Sequence, residues 1–519
     1  KISSDLASPP AFAAMLTSFP LFDNEHLSSL IDELRRSMRR VLAQLCDELD
    51  GPYRQASQRL RIPVGYLRAV EATLEPEDFS HWKVVGWIEE LNDLVYLLDV
   101  REQLSRESDA RGFAEAFYAA CATQYYEHGY LDELFPEGRP LATKLAHRVS
   151  SLCEKLARQV SRESLFLVPG LPCRWLDETT QQQWRVPYDF GPNFERAEPA
   201  DCIPFGLDGD VLSPSRSDRR HMCTQQAVLT IKRDGIDLSC GAHRIPLLVL
   251  ESARQWRWEV KPTVSVLVSY GRMTMGPTLI YGKRRAPVRM GGSSSDLVPR
   301  LAHAVRAIET AWPEGANNLA LLTSRIIPLQ ARGVVSFSYR HRPGLSFINC
   351  FDRDEFDLID DLIHENSHHQ LNLYLRKAEL LRGEHTDEIF YSPWRKSLRP
   401  VRGILHATFT FTMGALLFDR LAVSHRVTDA HRLRAQARCL EEVESVRYSL
   451  RDLVYAARQL GWLSESGVAL VQSMAREIRR VHRRIALHES AIYSSHYGQD
   501  LKRHCDTLRH ARHNYGPRL

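Results

Sequence analysis

Apolar residues recur at three- and four-residue spacing over residues 24–162, as in Leu27, Leu30, Ile31 and Leu34, and this period predicts a helical N-terminal region. Between 226 and 350 the pattern shortens. Runs rich in Val, Ile, Leu and Thr at 227–232, 264–270 and 333–339 alternate with turn residues and predict a sheet, interrupted by one helix at 297–312. From 351 the helical period returns and holds nearly to the end, broken at Pro393, at Pro400 and around 461–467. Stretches bearing Pro and Gly at 169–172 and 187–214 read as surface connections or a long functional loop. The pattern divides the chain into a helical region 1–165, a mixed region with β-sheet 166–350, a segment 351–425 and a helical region 426–519. The fold class it predicts is α+β with helices dominant.

A chain of 519 residues exceeds what one core usually supports, so two to four packed subdomains are expected. With 44% hydrophobic and 25% charged residues, the composition is that of an ordinary globular protein rather than a disordered one. A net charge of +4 is small for this length and argues against nucleic-acid binding through bulk charge. Arg479, Arg480, Arg483 and Arg484 fall at helical spacing and read as a solvated face. Ten cysteines lie scattered from Cys46 to Cys505 without a Cys-x-x-Cys pair, which excludes zinc-ribbon spacing and points to reduced thiols in a cytoplasmic setting. No apolar run approaches the roughly 20 residues needed to cross a bilayer, and 1–22 lack the layout of a signal peptide, so no membrane partner is expected. The chain opens on Lys1 rather than Met, which leaves its natural N-terminus open.

Candidate chemistry centres on His364-Glu365-x-x-His368. The stretch around it has no Pro or Gly, and Phe356, Ile359, Ile363 and Leu371 supply helical apolar spacing. Residues four apart share one helix face, so the imidazoles of His364 and His368 can converge on one metal ion, whereas His369 is turned away. The bland alternative is a satisfied pair of core histidines. Two predicted strands, 333–339 and 345–350, precede the helix, and a sheet edge beside a metal helix is how zinc peptidases hold an extended peptide. The expected architecture is therefore a zincin-like metal helix beside a mixed or antiparallel sheet.

Two histidines leave a metal under-coordinated, and a third ligand must come from elsewhere. The metzincin pattern fails, since it needs Gly and His where this chain has Leu371 and Tyr374. A carboxylate from Glu379, Glu384 or Glu388 is one source. His406 is the other: Pro400 can open a helix that places His406 in its second turn, amid the apolar run 404–417, where a lone His is otherwise a core residue. The same segment supplies Arg395, Arg399 and Arg402. On the helix reading, Arg402 lies one turn before His406, and a guanidinium is the natural fixed partner for a carboxylate, although arginines are most often solvated.

The combination of His364-Glu365-x-x-His368-x-x-Leu371 with Ser392-Pro393-Trp394-Arg395, Arg399-Pro400 and Gly403-x-Leu405-His406 resembles a family over roughly residues 333–420. This is the His-Glu-x-x-His family of peptide-modifying proteins from gene clusters for ribosomally made, post-translationally modified peptides, whose members are described as iron(II)- and 2-oxoglutarate-dependent peptide β-hydroxylases. The resemblance implies that His364, His368 and His406 hold Fe(II), leaving positions for 2-oxoglutarate and O2. It implies decarboxylation of the cosubstrate to succinate and CO2, with one oxygen passed to a side-chain β-carbon of a precursor peptide. One or more of Arg395, Arg399 and Arg402 would hold the distal carboxylate of 2-oxoglutarate. Three histidines depart from the usual two-histidine, one-carboxylate iron triad, so Glu384 or Glu388 stays open as the third ligand. Glu365 is a general base if the protein is instead a zinc peptidase, and orients a ligand or substrate if it is a hydroxylase. A non-catalytic peptide-binding protein with a structural His cluster is the third reading. The oligomeric state is left open by the pattern.

Overall fold

The computed structural model describes residues 21–164 and 297–516, except 22, 129, 384 and 425–427, together with separate strands and one short helix between 184 and 288. The architecture is a helix-dominated α+β fold with small antiparallel and mixed sheets. The connection 169–172 and residues 189–202 of the expected loop 187–214 lie outside the described residues, and within its described part Ile203–Phe205 and Asp210–Leu212 pair as strands rather than forming a loop.

N-terminal helices form where the apolar period predicts them, chief among them Asn24–Asp50, Trp82–Arg106 and Leu145–Glu163. Trp82–Arg106 is buried on nearly every side and forms the middle of this layer. A five-stranded antiparallel sheet follows, in the order Trp184–Tyr188, Ala227–Lys232, Gly235–Cys240, His243–Ser252 and Gln255–Trp258.

The second sheet positions the site. Its order is Phe337–Ser338, Leu345–Asn349, Arg325–Leu329, Met273–Met275 and Val268–Tyr270. Leu345–Asn349 and Arg325–Leu329 pair in parallel and are buried at every residue, as strands covered on both faces must be. The first of these matches the strand expected at 345–350. The strand expected at 333–339 is reduced to Phe337–Ser338, because Gly333 turns at φ +74° and the backbone around it is held by Asn349, whose side chain donates to the Ala331 carbonyl and accepts from the Ala331 N–H. Of the strand expected at 264–270, residues 268–270 pair and 264–267 lie outside the described residues. Gly344 ends the turn between the two strands at φ +83°, where a Cβ would lie 2.9 Å from Ser324 Oγ. Only glycine fits there without strain.

Helix Leu297–Ala311 agrees with the one expected at 297–312. Helices Glu355–Lys377, Val401–Val423, Asp429–Arg458, Glu465–Ile485 and Gly498–Tyr515 then build the C-terminal bundle. Between the first two lies a β-hairpin, Phe390–Ser392 against Ser397–Arg399, where the sequence suggested only a helix break at Pro393. Val401–Val423 corrects a second expectation. Its mean hydropathy reaches 1.3 over an 18-residue window, so it is long and apolar enough to span a bilayer, but 72% of that window is buried inside the protein. Its apolar side chains face the core, including Leu405, Phe409, Met413 and Leu417.

The N-terminal layer is bolted to the back of this site. Arg342, fully buried in the turn before Leu345–Asn349, donates to Glu90 at 2.8 Å and to Glu163 at 3.2 Å, both buried carboxylates of the N-terminal helices. Arg376 pairs with Glu89, Lys377 lies 2.5 Å from Glu33, and Gln370 donates to the Leu21 carbonyl at 2.7 Å.

Candidate metal centre

Helix Glu355–Lys377 opens on a capping box in which Asp354 accepts from the Asp357 N–H at 2.9 Å and Asp357 accepts from the Asp354 N–H at 3.2 Å. Such a box satisfies two helix-end donors that would otherwise be unpaired. Beyond it the helix carries three polar stripes at four-residue spacing, each with its own neighbour.

The first stripe is Asp361, Glu365 and His369, and it faces the sheet. Ser338 and Ser346 are cross-strand partners, so their side chains leave the same face of the sheet, and they meet residues one turn apart on the helix. Ser338 Oγ donates to Glu365 Oε2 at 2.8 Å, and Ser346 Oγ lies 3.0 Å from His369 Nε2. His369 Nδ1 accepts from the Gly344 N–H at 3.3 Å, so the neutral ring carries its proton on Nε2 and donates it to Ser346. Ser336 extends the stripe by donating to Asp361 at 2.7 Å. Burial pushes His369 down to about 3 and Asp361 up to about 6. His369 is thus turned away from His364 and His368, as its position one residue past His368 requires.

The second stripe, Asn366, Gln370 and Tyr374, faces helix Pro313–Leu322. Asn366 donates to Asn318 at 2.6 Å and accepts from Thr323 at 2.9 Å, and Gln370 donates to Tyr374 at 2.9 Å. With these two stripes anchored on their neighbours, the third, Asp360, His364 and His368, has little rotational freedom.

Here the candidate donors meet. Ligand atoms of His364, Glu365 and His368 lie within 4.8 Å of one another. Donors that bind one ion at about 2.1 Å stand at most about 4.2 Å apart, so side-chain adjustments of about half an ångström close the group on an ion. The rings of His364 and His368 are 5.0 Å apart, with an interplanar angle of 78°. His406, in the second turn of Val401–Val423, stands beside the group but outside its three members, its ring 6.3 Å from that of His368. Burial lowers the proton affinity of His364, with Asp360 opposing and Arg395 adding to the shift. Burial also drives His368 well down, helped by His364, His406 and His369. Both rings are therefore neutral near pH 7, with lone pairs available to a metal. Burial raises the Glu365 carboxyl to about 8, against the Ser338 hydrogen bond, and a bound dication would supply the countercharge that this carboxylate lacks. These residues fit a divalent transition metal by donor type and spread.

The arginine-bearing segment borders the same group. Arg395 is exposed at the tip of the hairpin, Arg399 is half-buried on its second strand, and Arg402 is half-buried in the first turn of the His406 helix. Arg395 and Arg399 form no ion pair with a described residue. Of the alternative carboxylate ligands, Glu379 and Glu388 are exposed and outside the donor group, and Glu384 lies outside the described residues.

The contacts of Trp394, and the residues that make them, escaped the sequence reading. Trp394 stacks flat on Phe411 at 4.2 Å, and Phe411 lies edge-on to His364 at 5.0 Å. Trp394 Nε1 donates to buried Glu442 at 3.0 Å, and Arg438 bridges Glu442 and Asp360, each at 3.2 Å. Glu442 sits among Cys439, Leu440, Val443 and Val446, and a lone carboxylate at buried helical spacing was the available signal. Ser338 had none, since its partner is 27 residues away.

No protein-family model matches this chain, and no curated protein matches it.

Proposed function

We propose that this chain is a cytoplasmic Fe(II)- and 2-oxoglutarate-dependent hydroxylase that adds a β-hydroxyl to a side chain of a ribosomally made precursor peptide. The observation that carries the reading is the gathering of His364, Glu365 and His368 within 4.8 Å, with His406 beside them and a hairpin presenting Arg395 along the same border. His364, His368 and His406 would hold the ion. Iron with 2-oxoglutarate and O2 supplies, when bound, the oxidising chemistry that decarboxylates the cosubstrate and transfers one oxygen to the peptide.

The remaining work falls to this chain's own side chains. Arg395, with Arg399 and Arg402 behind it, offers a fixed positive charge to the distal carboxylate of 2-oxoglutarate, since a guanidinium matches two carboxylate oxygens and stays charged. Phe337–Ser338 forms the edge of its sheet among the described residues, next to Glu365, and an extended peptide added along that edge would pass the donor group. Exposed Val334 and Val335 precede this edge and offer apolar contact to such a peptide. Glu365, held by Ser338 on the sheet side, orients the peptide edge relative to the metal helix and moves no proton.

One observation favours a zinc peptidase instead. A Glu365 carboxylate oxygen lies within the donor group, where a general base would deprotonate a metal-bound water. Anaerobic reconstitution with Fe(II) and 2-oxoglutarate, exposure to air with a precursor peptide from the same gene neighbourhood, and mass spectrometry separate the readings. Gain of one oxygen with succinate formed is the expected result. Peptide fragments without succinate would establish the peptidase. If host-pathway activity is unchanged by both His364→Ala and Glu365→Gln, the protein is a non-catalytic binder.

A further inference from the structure

Arg395 sits at the exposed tip of the hairpin, yet its backbone is fixed. Its N–H donates to Ser392 Oγ at 3.3 Å, and the next residue, Lys396, closes the turn at φ +52° by donating to the Ser392 carbonyl at 2.8 Å. The residue before it is an anchor. Trp394 turns inward while Arg395 turns outward, and the indole is held by its stack on Phe411 and by its N–H bond to Glu442. Stacking alone lets a ring rotate in its plane, whereas a hydrogen bond from the ring edge fixes that rotation and with it the direction of the next residue. Glu442 belongs to helix Asp429–Arg458, is 3% exposed, and is held on its other oxygen by Arg438, which also holds Asp360 one turn before His364. The hairpin tip is thereby referred to the metal helix along two routes, one through Phe411 and one through Glu442, Arg438 and Asp360. A buried carboxylate costs more than an apolar side chain of the same size, and what it adds here is direction.

We propose that Trp394 and Glu442 are positioning residues that hold the Arg395 guanidinium at the carboxylate-binding border of the candidate metal site, an inference that rests on the hydroxylase reading above. They touch neither metal nor cosubstrate. Their loss therefore weakens carboxylate binding through Arg395 and leaves metal binding intact.

The test is anaerobic titration of the Fe(II)-loaded full chain with 2-oxoglutarate, alongside a separate Co(II) titration of the metal-free chain. Wild type, Trp394→Phe, Glu442→Ala, Glu442→Gln and Arg395→Ala are compared, with the Trp394→Phe/Arg395→Ala double variant. Trp394→Phe keeps an aromatic stack but cannot donate, so it reads the hydrogen bond even if Glu442→Ala fails to fold. Trp394→Phe and Glu442→Ala should raise the 2-oxoglutarate dissociation constant about tenfold, the net worth of one hydrogen bond. Glu442→Gln, whose amide oxygen still accepts, should recover most of the affinity. Added to Arg395→Ala, Trp394→Phe should have no further effect, because two residues acting through one contact are not additive. Co(II) affinity should be unchanged throughout. The inference is overturned if wild type binds 2-oxoglutarate and Trp394→Phe binds it equally well, if the two losses add in full, or if Co(II) affinity falls in parallel. If Fe(II)-loaded wild type does not bind 2-oxoglutarate at all, the hydroxylase reading fails, and this inference with it.

Discussion

Replacing Arg342 with alanine would take a guanidinium away from two buried carboxylates. Arg342 and Glu90 are 0% exposed and Glu163 is 2% exposed, and the guanidinium lies 2.8 and 3.2 Å from their oxygens. At an effective dielectric of about 20, each contact is worth about 5–6 kcal/mol of Coulomb attraction. Most of that only offsets the desolvation of three charges, and removing one partner of a buried pair costs about 3–5 kcal/mol net. The Arg342→Ala variant should lose stability in that range. Urea unfolding followed by tryptophan fluorescence reads it, because Trp82 and Trp87 lie on the same buried helix as Glu90. A triple variant, Arg342→Met with Glu90→Gln and Glu163→Gln, removes the charge of all three side chains and should recover most of the loss. A cost for Arg342→Ala below about 1 kcal/mol, or a triple variant no more stable than Arg342→Ala, would refute the claim that this charge cluster fastens the N-terminal helices to the sheet.

Three further outcomes follow from the same contacts. A Cβ on Gly86 would overlap the Arg342 guanidinium, so Gly86→Ala should lower the urea midpoint although alanine is the better helix former, and a raised midpoint would contradict the packing. His369 is pushed down to about 3 from 6.5, so below pH 6.5 the unfolded chain takes up a proton that the folded chain refuses, and stability falls with falling pH by about 1.4 kcal/mol per unit. His369→Gln should remove that slope between about pH 4 and 6, in urea midpoints measured against wild type; Glu365 and Glu442, whose raised carboxyls act in the opposite direction, cancel in the comparison. Ser338→Ala should leave metal affinity unchanged but lower thermal stability by about 1–3 kcal/mol, since it removes the Glu365 hydrogen bond; full stability would show that water replaces the hydroxyl.

How far the sequence reached depended on the range of each interaction. Helix Glu355–Lys377 and the opposed directions of His368 and His369 follow from a rotation of about 100° per residue, a local property that sequence displays directly. Pro400 likewise marked the start of the helix that carries His406. The hairpin around Trp394 was hidden because its strands are three residues each and hold register through the Lys396 turn rather than through alternation. The strand expected at 333–339 failed for a similar reason: its apolar residues Val334 and Val335 read as β-formers, but the turn at Gly333 and the grip of Asn349 leave two residues to pair. Glu442 and Ser338 reach the site across 48 and 27 residues of chain, and no periodicity encodes such pairings.

The claim on which the rest stands is that one face of helix Glu355–Lys377 holds a metal ion. Anaerobic calorimetric titration of the metal-free full chain with Fe(II) tests it most directly, with His364→Ala, His368→Ala and His369→Gln beside wild type. The account predicts one equivalent bound by wild type and by His369→Gln, and binding lost in His364→Ala and His368→Ala. Equal Fe(II) binding by wild type and His364→Ala, or none by any form, would contradict it.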